Sequence, residues 1–373
     1  MLSYVLAFAG FAVLVILHEA GHYCAAKAVG MRVERFALFF PPLLLKFRRG
    51  ETEYGIGCIP LGGYVKITGM SPREKIAPEL EHRAYYRQAV WKRVVVIVAG
   101  PVVNIVLAFA ILWALVAIDG VSATVPVVGS VTRDSAAVGR LHAGDEIVSV
   151  DGRAAGAPGL GPDASQRRVD RVQQTVSRHA CAGGARTAGC RATTPVRLEV
   201  LRGGHRRAVT VTPRYDAQLR RPLMGLQFES RQFGVGVGSA ASRGLSTMWT
   251  IASTTVHGIV RLFYDASARR QVSGIVGSYE VVRESFRFDV VRAITLLAVI
   301  SLSLGIVNLF PVLPLDGGHI FWAVAEKLRG RPISFRIVEY STVVGFALVA
   351  FLFIVGLHAD IGRLTSGEGF GVR

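Results

Sequence analysis

The sequence is poor in cysteine and in acidic residues. Four cysteines occur in 373 residues, and they do not have the spacing of a zinc finger. There are 26 acidic residues against 43 Lys and Arg, so the formal net charge is +17. A basic chain can bind nucleic acid, but these basic residues cluster beside long apolar runs, as they do in the cytoplasmic loops of membrane proteins. We therefore expect a lipid bilayer as the partner and no nucleic acid.

A basic region at the N-terminus is also lacking, because no Lys or Arg precedes Lys27. A secretory signal peptide combines such a region with a small-residue cleavage site, and neither is present. The first apolar run is therefore predicted to be a transmembrane helix that begins outside the cell.

Hydrophobic residues make up 51% of the chain and are concentrated in four runs. Roughly 17–25 apolar residues are needed to cross the hydrocarbon core of a bilayer. The first two runs reach that length, and the last two are short but bounded by charges. The predicted transmembrane helices are 2–26, 94–118, 293–310 and 341–357.

The first run contains three polar residues, His18, Glu19 and His22, in the sequence "HEAGH". Residues four apart lie on one face of a helix, so both imidazoles can bind one zinc ion. Glu19 between them can act as general base toward a zinc-bound water. Two histidines buried in a soluble core helix are the alternative, but ionisable groups in an apolar span are costly and usually functional.

A catalytic zinc site has three protein ligands and one open position. Asp316 in "NLFPVLPLDGGH" (308–319) is the best third candidate. Pro311 and Pro314 cannot continue a helix, so the chain is expected to unwind just after Phe310. Non-helical backbone at membrane depth must face protein or a water-filled cavity. An ordinary loop leaving the membrane has the same composition, and only the HEAGH motif favours the zinc ligand.

The predicted topology places the unusual polar residues at one depth. Helix 2–26 travels about 24 Å before it reaches His18, and helix 293–310 travels about the same distance to Asn308. Gly100 lies about 9 Å from the inner end of helix 94–118. The candidate site is therefore expected near the cytosolic face.

The pairing of "HEAGH" with "NLFPVLPLDGG" resembles the site-2 protease family of intramembrane zinc metalloproteases. The resemblance extends to "AGPVVN" (99–104), which is similar to a small-residue segment of the family's second core helix. It implies that His18, His22 and Asp316 bind Zn²⁺, that Glu19 is the catalytic base and that Asn308 assists substrate or oxyanion binding.

Two further segments resemble parts of this family. Residues 43–70 alternate as strands do, and Arg49-Gly50-Glu51 predicts a hairpin turn between them. Residues 55–70 look like the family's membrane-reentrant β-hairpin, with Gly62 and Gly63 as candidate substrate-binding residues. A plain amphipathic loop is an equal alternative for this segment. Residues 125–213 resemble a PDZ domain, which either binds a peptide or excludes large ectodomains.

The remaining external segment is predicted from composition alone. Residues 245–264 are not apolar enough for a fifth span, so 239–290 is interpreted as an extracytoplasmic amphipathic helix and linker. Cys181 and Cys190 lie on the predicted oxidising side, eight small or flexible residues apart, and are expected to form a disulfide.

The expected fold is a polytopic α-helical membrane core with a β-hairpin and an inserted extracytoplasmic PDZ domain. The first half of the core is 1–118 and the second half is 291–373. The expected function is intramembrane cleavage of transmembrane protein substrates at a bacterial inner membrane, with both termini and the PDZ domain outside. The alternatives are a catalytically idle PDZ scaffold with structural zinc and a membrane-bound zinc protease for soluble peptides.

Overall fold

The computed structural model describes residues 1–70, 74–156, 161–181, 187–265, 273–331 and 333–366, without the side chains of residues 61 and 335. The chain divides into two compact units. The first combines Met1–Leu115 with Ala241–Arg373, and the second is Val116–Ala240. Parts of the predicted segments 239–290 and 291–373, including the C-terminal end, lie outside the described residues.

Eight α-helices occur in the described part of the chain, and four of them are long and apolar enough to cross a membrane. These four correspond to the predicted spans, and most extend further because polar residues continue the helix beyond each apolar run. The third is the exception, since it ends two residues early. The helices are α1 Leu2–Ala28, α2 Val90–Asp119, α3 Pro162–Val176, α4 Val237–Tyr264, α5 Ile275–Phe288, α6 Val290–Asn308, α7 Asp316–Arg329 and α8 Phe335–Ser366.

A long antiparallel hairpin follows α1. Its strands are β1 Val33–Arg49 and β2 Thr52–Ile67, joined at the predicted turn around Gly50. The hairpin begins ten residues before the predicted segment 43–70, and its paired strands exclude the alternative of a plain loop. Several apolar side chains along it are exposed, among them Leu44 and Phe47. Exposed apolar side chains are typical of a surface that meets lipid or a partner.

The second unit is built around a mixed group of short strands and one helix. Strand order in its main sheet is β10-β3-β4-β6-β7, with β5 paired to β4. Helix α3 lies against β3 and β4. The strands are β3 Val121–Val131, β4 Glu146–Val150, β5 Arg153–Ala154, β6 Val196–Arg202, β7 His205–Val211, β8 Arg214–Asp216, β9 Arg221–Leu223 and β10 Leu226–Phe233.

This unit is compatible with a PDZ-like domain but does not keep the predicted boundaries 125–213. Strand β10 pairs with β3 and carries the sheet to Phe233. The hairpin of β6 and β7 turns at Gly203 and Gly204, which both have a positive φ. Its buried core includes Ile147, Val172 and Leu198. Contacts distant in sequence therefore define the true extent of the unit.

Helix α4 lies in the segment predicted to hold an extracytoplasmic amphipathic helix, and one of its faces packs against two candidate membrane helices. Met248 packs with Ala108 and Leu112 of α2 and with Ala298 of α6. Further along α4, the hydroxyl of Thr255 lies 3.4 Å from that of Ser303. Because two candidate membrane helices cover one of its faces, α4 is part of the helical bundle, although its composition is too polar to identify it as a span.

Candidate metal centre

Helix α1 places three predicted site residues on adjoining positions of one helical turn. His18 and His22 are each only 7% exposed, although the segment around them is apolar. Their ring centroids are 4.8 Å apart and the rings are nearly perpendicular. The i, i+4 spacing therefore brings both imidazoles to one place, as the sequence predicts.

Asp316 completes a compact triangle with the two histidines. Its Oδ2 lies 3.3 Å from Nε2 of His18 and 3.3 Å from Nε2 of His22. The two Nε2 atoms are 3.2 Å apart. Ligands about 2.0–2.1 Å from a tetrahedral zinc ion are separated by about 3.3 Å, and two His nitrogens with one carboxylate oxygen are a common zinc donor set. The three residues therefore fit zinc with one coordination position open.

Helix α2 supplies no member of the triangle but holds one of its histidines. Nδ1 of His22 donates to the backbone carbonyl of Val96 at 2.8 Å. This bond leaves Nε2 free to face the triangle, in the arrangement usual for metal-binding histidines. A side chain at Gly100 would collide with the His22 ring, so glycine is required for the close approach of α1 and α2.

The carboxylate of the triangle is delivered by a break between two helices. Helix α6 ends at Asn308, earlier than the prediction of unwinding after Phe310, and α7 begins at Asp316 itself. Side chains at Gly317 or Gly318 would collide with the backbone of the intervening loop. The two glycines therefore let α7 start directly against the loop that carries the prolines.

Glu19 lies beside the hairpin. A Cβ atom built on Gly63 of β2 would lie 2.7 Å from Cγ of Glu19 and 3.1 Å from a methyl group of Val15. Gly62 has φ +154° and faces the ring of Phe40. Of the two predicted glycines, only Gly63 is shown next to Glu19, and it allows strand β2 to pass close to that carboxylate.

Two other predicted site features have mixed outcomes. Asn308 is half-buried at the last position of α6, where the loop to Asp316 begins, and its role in substrate binding stays a prediction. Cys181 and Cys190 are joined by a disulfide with their Cα atoms 6.2 Å apart. Residues 182–186 of the loop between them lie outside the described part.

Sequence reasoning placed Gly100 of α2 at the level of the site but missed the contributions of two other residues of that helix. The carbonyl of Val96 has no side-chain signature, so no pattern could reveal it. Asn104 is fully buried near the same face of α2, and neither polar atom of its amide has a hydrogen-bond partner among the described residues. A polar residue inside an apolar helix was the available signal.

Comparison with known families accounts for this geometry. Residues 6–352 match the sequence model of Peptidase family M50, which is nearly the whole chain. The chain belongs to this family. The resemblance to site-2 proteases is thereby confirmed, and the protein is a zinc metalloendopeptidase with zinc as its cofactor.

Named relatives agree with this assignment. A putative zinc metalloprotease of Rhizobium meliloti is 30% identical over 377 residues, covering 94% of both chains. The regulator of sigma E protease of Salmonella typhi is 29% identical over 440 residues, covering 94% of this chain and 96% of the relative. A putative zinc metalloprotease of Clostridium acetobutylicum is 27% identical over 362 residues and covers 96% of each. With its apolar helices, the M50 member described here is an integral membrane protein.

Proposed function

We propose that this M50 peptidase cleaves transmembrane segments of single-pass membrane proteins during regulated intramembrane proteolysis. Anti-sigma factors and signal-peptide remnants are the substrate classes that we favour. The observation that carries the proposal is the triangle of His18, His22 and Asp316 beside Glu19, with both histidines on a helix long and apolar enough to cross a bilayer. A similar relative named regulator of sigma E protease supports regulated proteolysis as the setting.

The chemical roles follow from the positions of the side chains. His18, His22 and Asp316 would hold zinc, which when bound lowers the pKa of water and polarises a carbonyl. Glu19 takes a proton from the attacking water and returns it to the amine that leaves when the peptide bond breaks. Asn308, at the end of α6, would stabilise the oxyanion or hold the substrate backbone.

The hairpin gives a physical reason why a helical substrate can be cut. A peptide bond within a helix is shielded by hydrogen bonds, so the substrate must be extended before attack. Strands β1 and β2 form a two-stranded sheet, and an edge strand can pair with an added extended segment. Because Gly63 of β2 packs against Glu19, a segment added along that strand would run past the site.

The proposed location is a bacterial inner membrane with the active site near the cytosolic face. Basic residues between the spans support cytosolic positions for those loops, by the positive-inside rule. Both termini and the second unit would then be extracytoplasmic. The disulfide between Cys181 and Cys190 is consistent with an oxidising compartment. For the second unit we propose a PDZ-like role as a size filter or as a peptide contact.

Two other functions are less well supported. A scaffold protein with a structural zinc would not need an acidic residue that lies between the two histidines and next to strand β2. A peptidase for soluble peptides would not need its zinc-binding histidines on a helix that is apolar over most of its length. Glu19 and the surrounding apolar helices therefore favour intramembrane proteolysis.

The decisive experiment is the Glu19→Gln variant of the full chain, purified in detergent and tested on single-pass membrane substrates. We expect the zinc content to be kept and the cleavage rate to fall by about 10²–10⁴-fold, the usual contribution of a general base. Metal analysis and cleavage are measured on the same preparation.

A matched control is Glu199→Gln, which makes the same chemical change at an exposed position of β6. This control should keep both zinc and activity. Cleavage by Glu19→Gln at the control rate would refute the proposed mechanism. Loss of zinc from Glu19→Gln would instead show that Glu19 serves the metal and not the proton transfer.

A further inference from the structure

The buried amide of Asn104 is unusual among the described side chains of the helical bundle. The residue is 0% exposed on α2, and neither Nδ2 nor Oδ1 has a hydrogen-bond partner in the described residues. Its backbone carbonyl is satisfied, because Ser301 of α6 donates to it at 2.9 Å. A buried polar group without a partner costs free energy, so each such group calls for an explanation.

The contacts between α1 and α2 show what lies opposite this amide. Lys92 bonds to the carbonyl of Val29 at 3.2 Å, and one turn further along α2 Val96 accepts from His22 at 2.8 Å. The two helices therefore run antiparallel. Gly100 of α2 contacts His22 of α1. Asn104 lies one turn after Gly100 and His18 lies one turn before His22, so in an antiparallel pair Asn104 and His18 are at the same level.

The ring of His18 also has a buried nitrogen that is not hydrogen-bonded in the described residues. Its Nδ1 is buried and has no hydrogen-bond partner among the described residues. The other histidine of the triangle is complete, since Nδ1 of His22 donates to Val96. Histidines that bind a metal almost always donate their second ring N–H to a carbonyl, carboxylate or water, which fixes both tautomer and ring orientation. One of the two histidines thus has its orienting partner and the other lacks one.

We propose that Asn104 is the positioning residue for His18, with its Oδ1 accepting the Nδ1–H of His18 through one ordered water molecule. The inference rests on the proposed zinc site. Both groups are buried at one level of the bundle, and each offers what the other lacks. Gly305 of α6 lets the two helices pack closely at this level, because a Cβ there would lie 3.0 Å from the carbonyl oxygen of Pro101 and 3.4 Å from Cβ of Asn104. A buried water with polar partners on two sides is a common solution for such groups.

The test measures zinc affinity by competition with a chelator, using the full-length protein in detergent. Asn104→Leu has nearly the same size but cannot form hydrogen bonds. We expect it to weaken zinc binding by about 10–100-fold, the usual effect of losing an outer partner of a ligand. The thermal unfolding midpoint of the zinc-free protein should stay the same or rise, because an unpaired buried amide has been removed.

Asn104→Ser is the second variant, because its hydroxyl can still bind the water. It should keep zinc affinity closer to that of the unchanged protein than Asn104→Leu does. Ser301→Ala is the matched control, since it removes the neighbouring buried hydrogen bond without touching the amide. It should lower the unfolding midpoint and leave zinc affinity unchanged.

His18→Ala separates this inference from the proposed function. Unchanged zinc affinity in His18→Ala would overturn the proposed zinc site itself. A large loss in His18→Ala combined with normal affinity in Asn104→Leu would overturn only the role of Asn104. If Asn104→Leu does not fold, a loss of zinc affinity in Ser301→Ala as large as the loss in Asn104→Ser would refute the proposal, because the packing of α2 against α6 and not the amide would then control binding.

Discussion

Asp145 in the second compact unit and Asp316 in the first are both largely shielded from solvent, and the surroundings of these two carboxylates differ. Asp145 in the second unit has a side chain that is 1% exposed, and its two oxygens accept from Arg202 at 2.7 Å each. The backbone N–H of His142 also donates to it at 2.9 Å. These three hydrogen bonds satisfy both oxygens of the carboxylate, so its role is structural.

Asp316 in the first unit has no arginine or lysine beside it in the described structure. Its side chain is 18% exposed, and its Oδ2 faces the Nε2 atoms of His18 and His22. Two imidazoles and a carboxylate aimed at one point form a site that a cation completes. The comparison shows two uses of a shielded carboxylate. A carboxylate paired with an arginine stabilises the fold, whereas a carboxylate that faces two imidazoles is available to bind a cation.

The largest expected effect is at Asp316. Asp316→Asn keeps the size of the side chain but removes its charge, so the proposed direct zinc ligand would be weakened. We expect zinc affinity to fall by more than about 100-fold, beyond the range for outer partners. Proteolysis should fall in parallel. Chelator competition and cleavage of a single-pass substrate measure the two effects, and full zinc with normal turnover would place the third ligand elsewhere.

The same substitution at Asp145 should act on stability alone. Asp145→Asn loses the charge-assisted bonds from Arg202, and each such bond contributes about 1.5–3 kcal/mol. Since Arg202 is partly exposed and can be hydrated, we expect a loss of about 2 kcal/mol in the local opening free energy of β4 and β6. Hydrogen exchange of the full chain measures this loss. Zinc affinity and proteolysis should be unchanged, and a change in either would erase the contrast with Asp316.

The smallest expected effect is a pH dependence confined to the second unit. Hydrogen bonds from Arg202 hold the pKa of Asp145 below its ordinary value, with a further contribution from the N–H of His142. A depressed carboxylate pKa adds stability above the unfolded value of about 3.9, and this stability is lost as pH falls toward the folded value. The difference in opening free energy between the unchanged protein and Asp145→Asn should therefore shrink below about pH 4. A difference that stays constant with pH would argue against the ion pair.

Much of the metal centre could be predicted because its signals are local. The spacing of His18 and His22 on an apolar helix identifies the pair, and the prolines and glycines around Asp316 mark the break in the later helix. The turn of the hairpin at Gly50 is equally local. Such features depend on backbone preferences and on periodicity within a few residues.

The features that were missed depend on contacts between distant segments. The carbonyl of Val96 is available to His22 only because α2 crosses α1 at that level. The packing of Met248 in the bundle and the pairing of β10 with β3 are tertiary in the same way. Helix ends also differed from the predictions. An apolar run shows which residues can lie in the hydrocarbon core, whereas the end of a helix depends on where backbone hydrogen bonding stops.

The break that delivers Asp316 has a consequence for how this enzyme is made. The two histidines and Glu19 lie on α1, whereas Asp316, the proposed third ligand, is synthesised only after α6. A growing chain that has released its first helices carries an incomplete triangle and no means of holding zinc in a catalytic geometry. Because α2 and α6 lie between the two parts of the triangle along the chain, we expect the zinc site to form only after residue 316 has been synthesised.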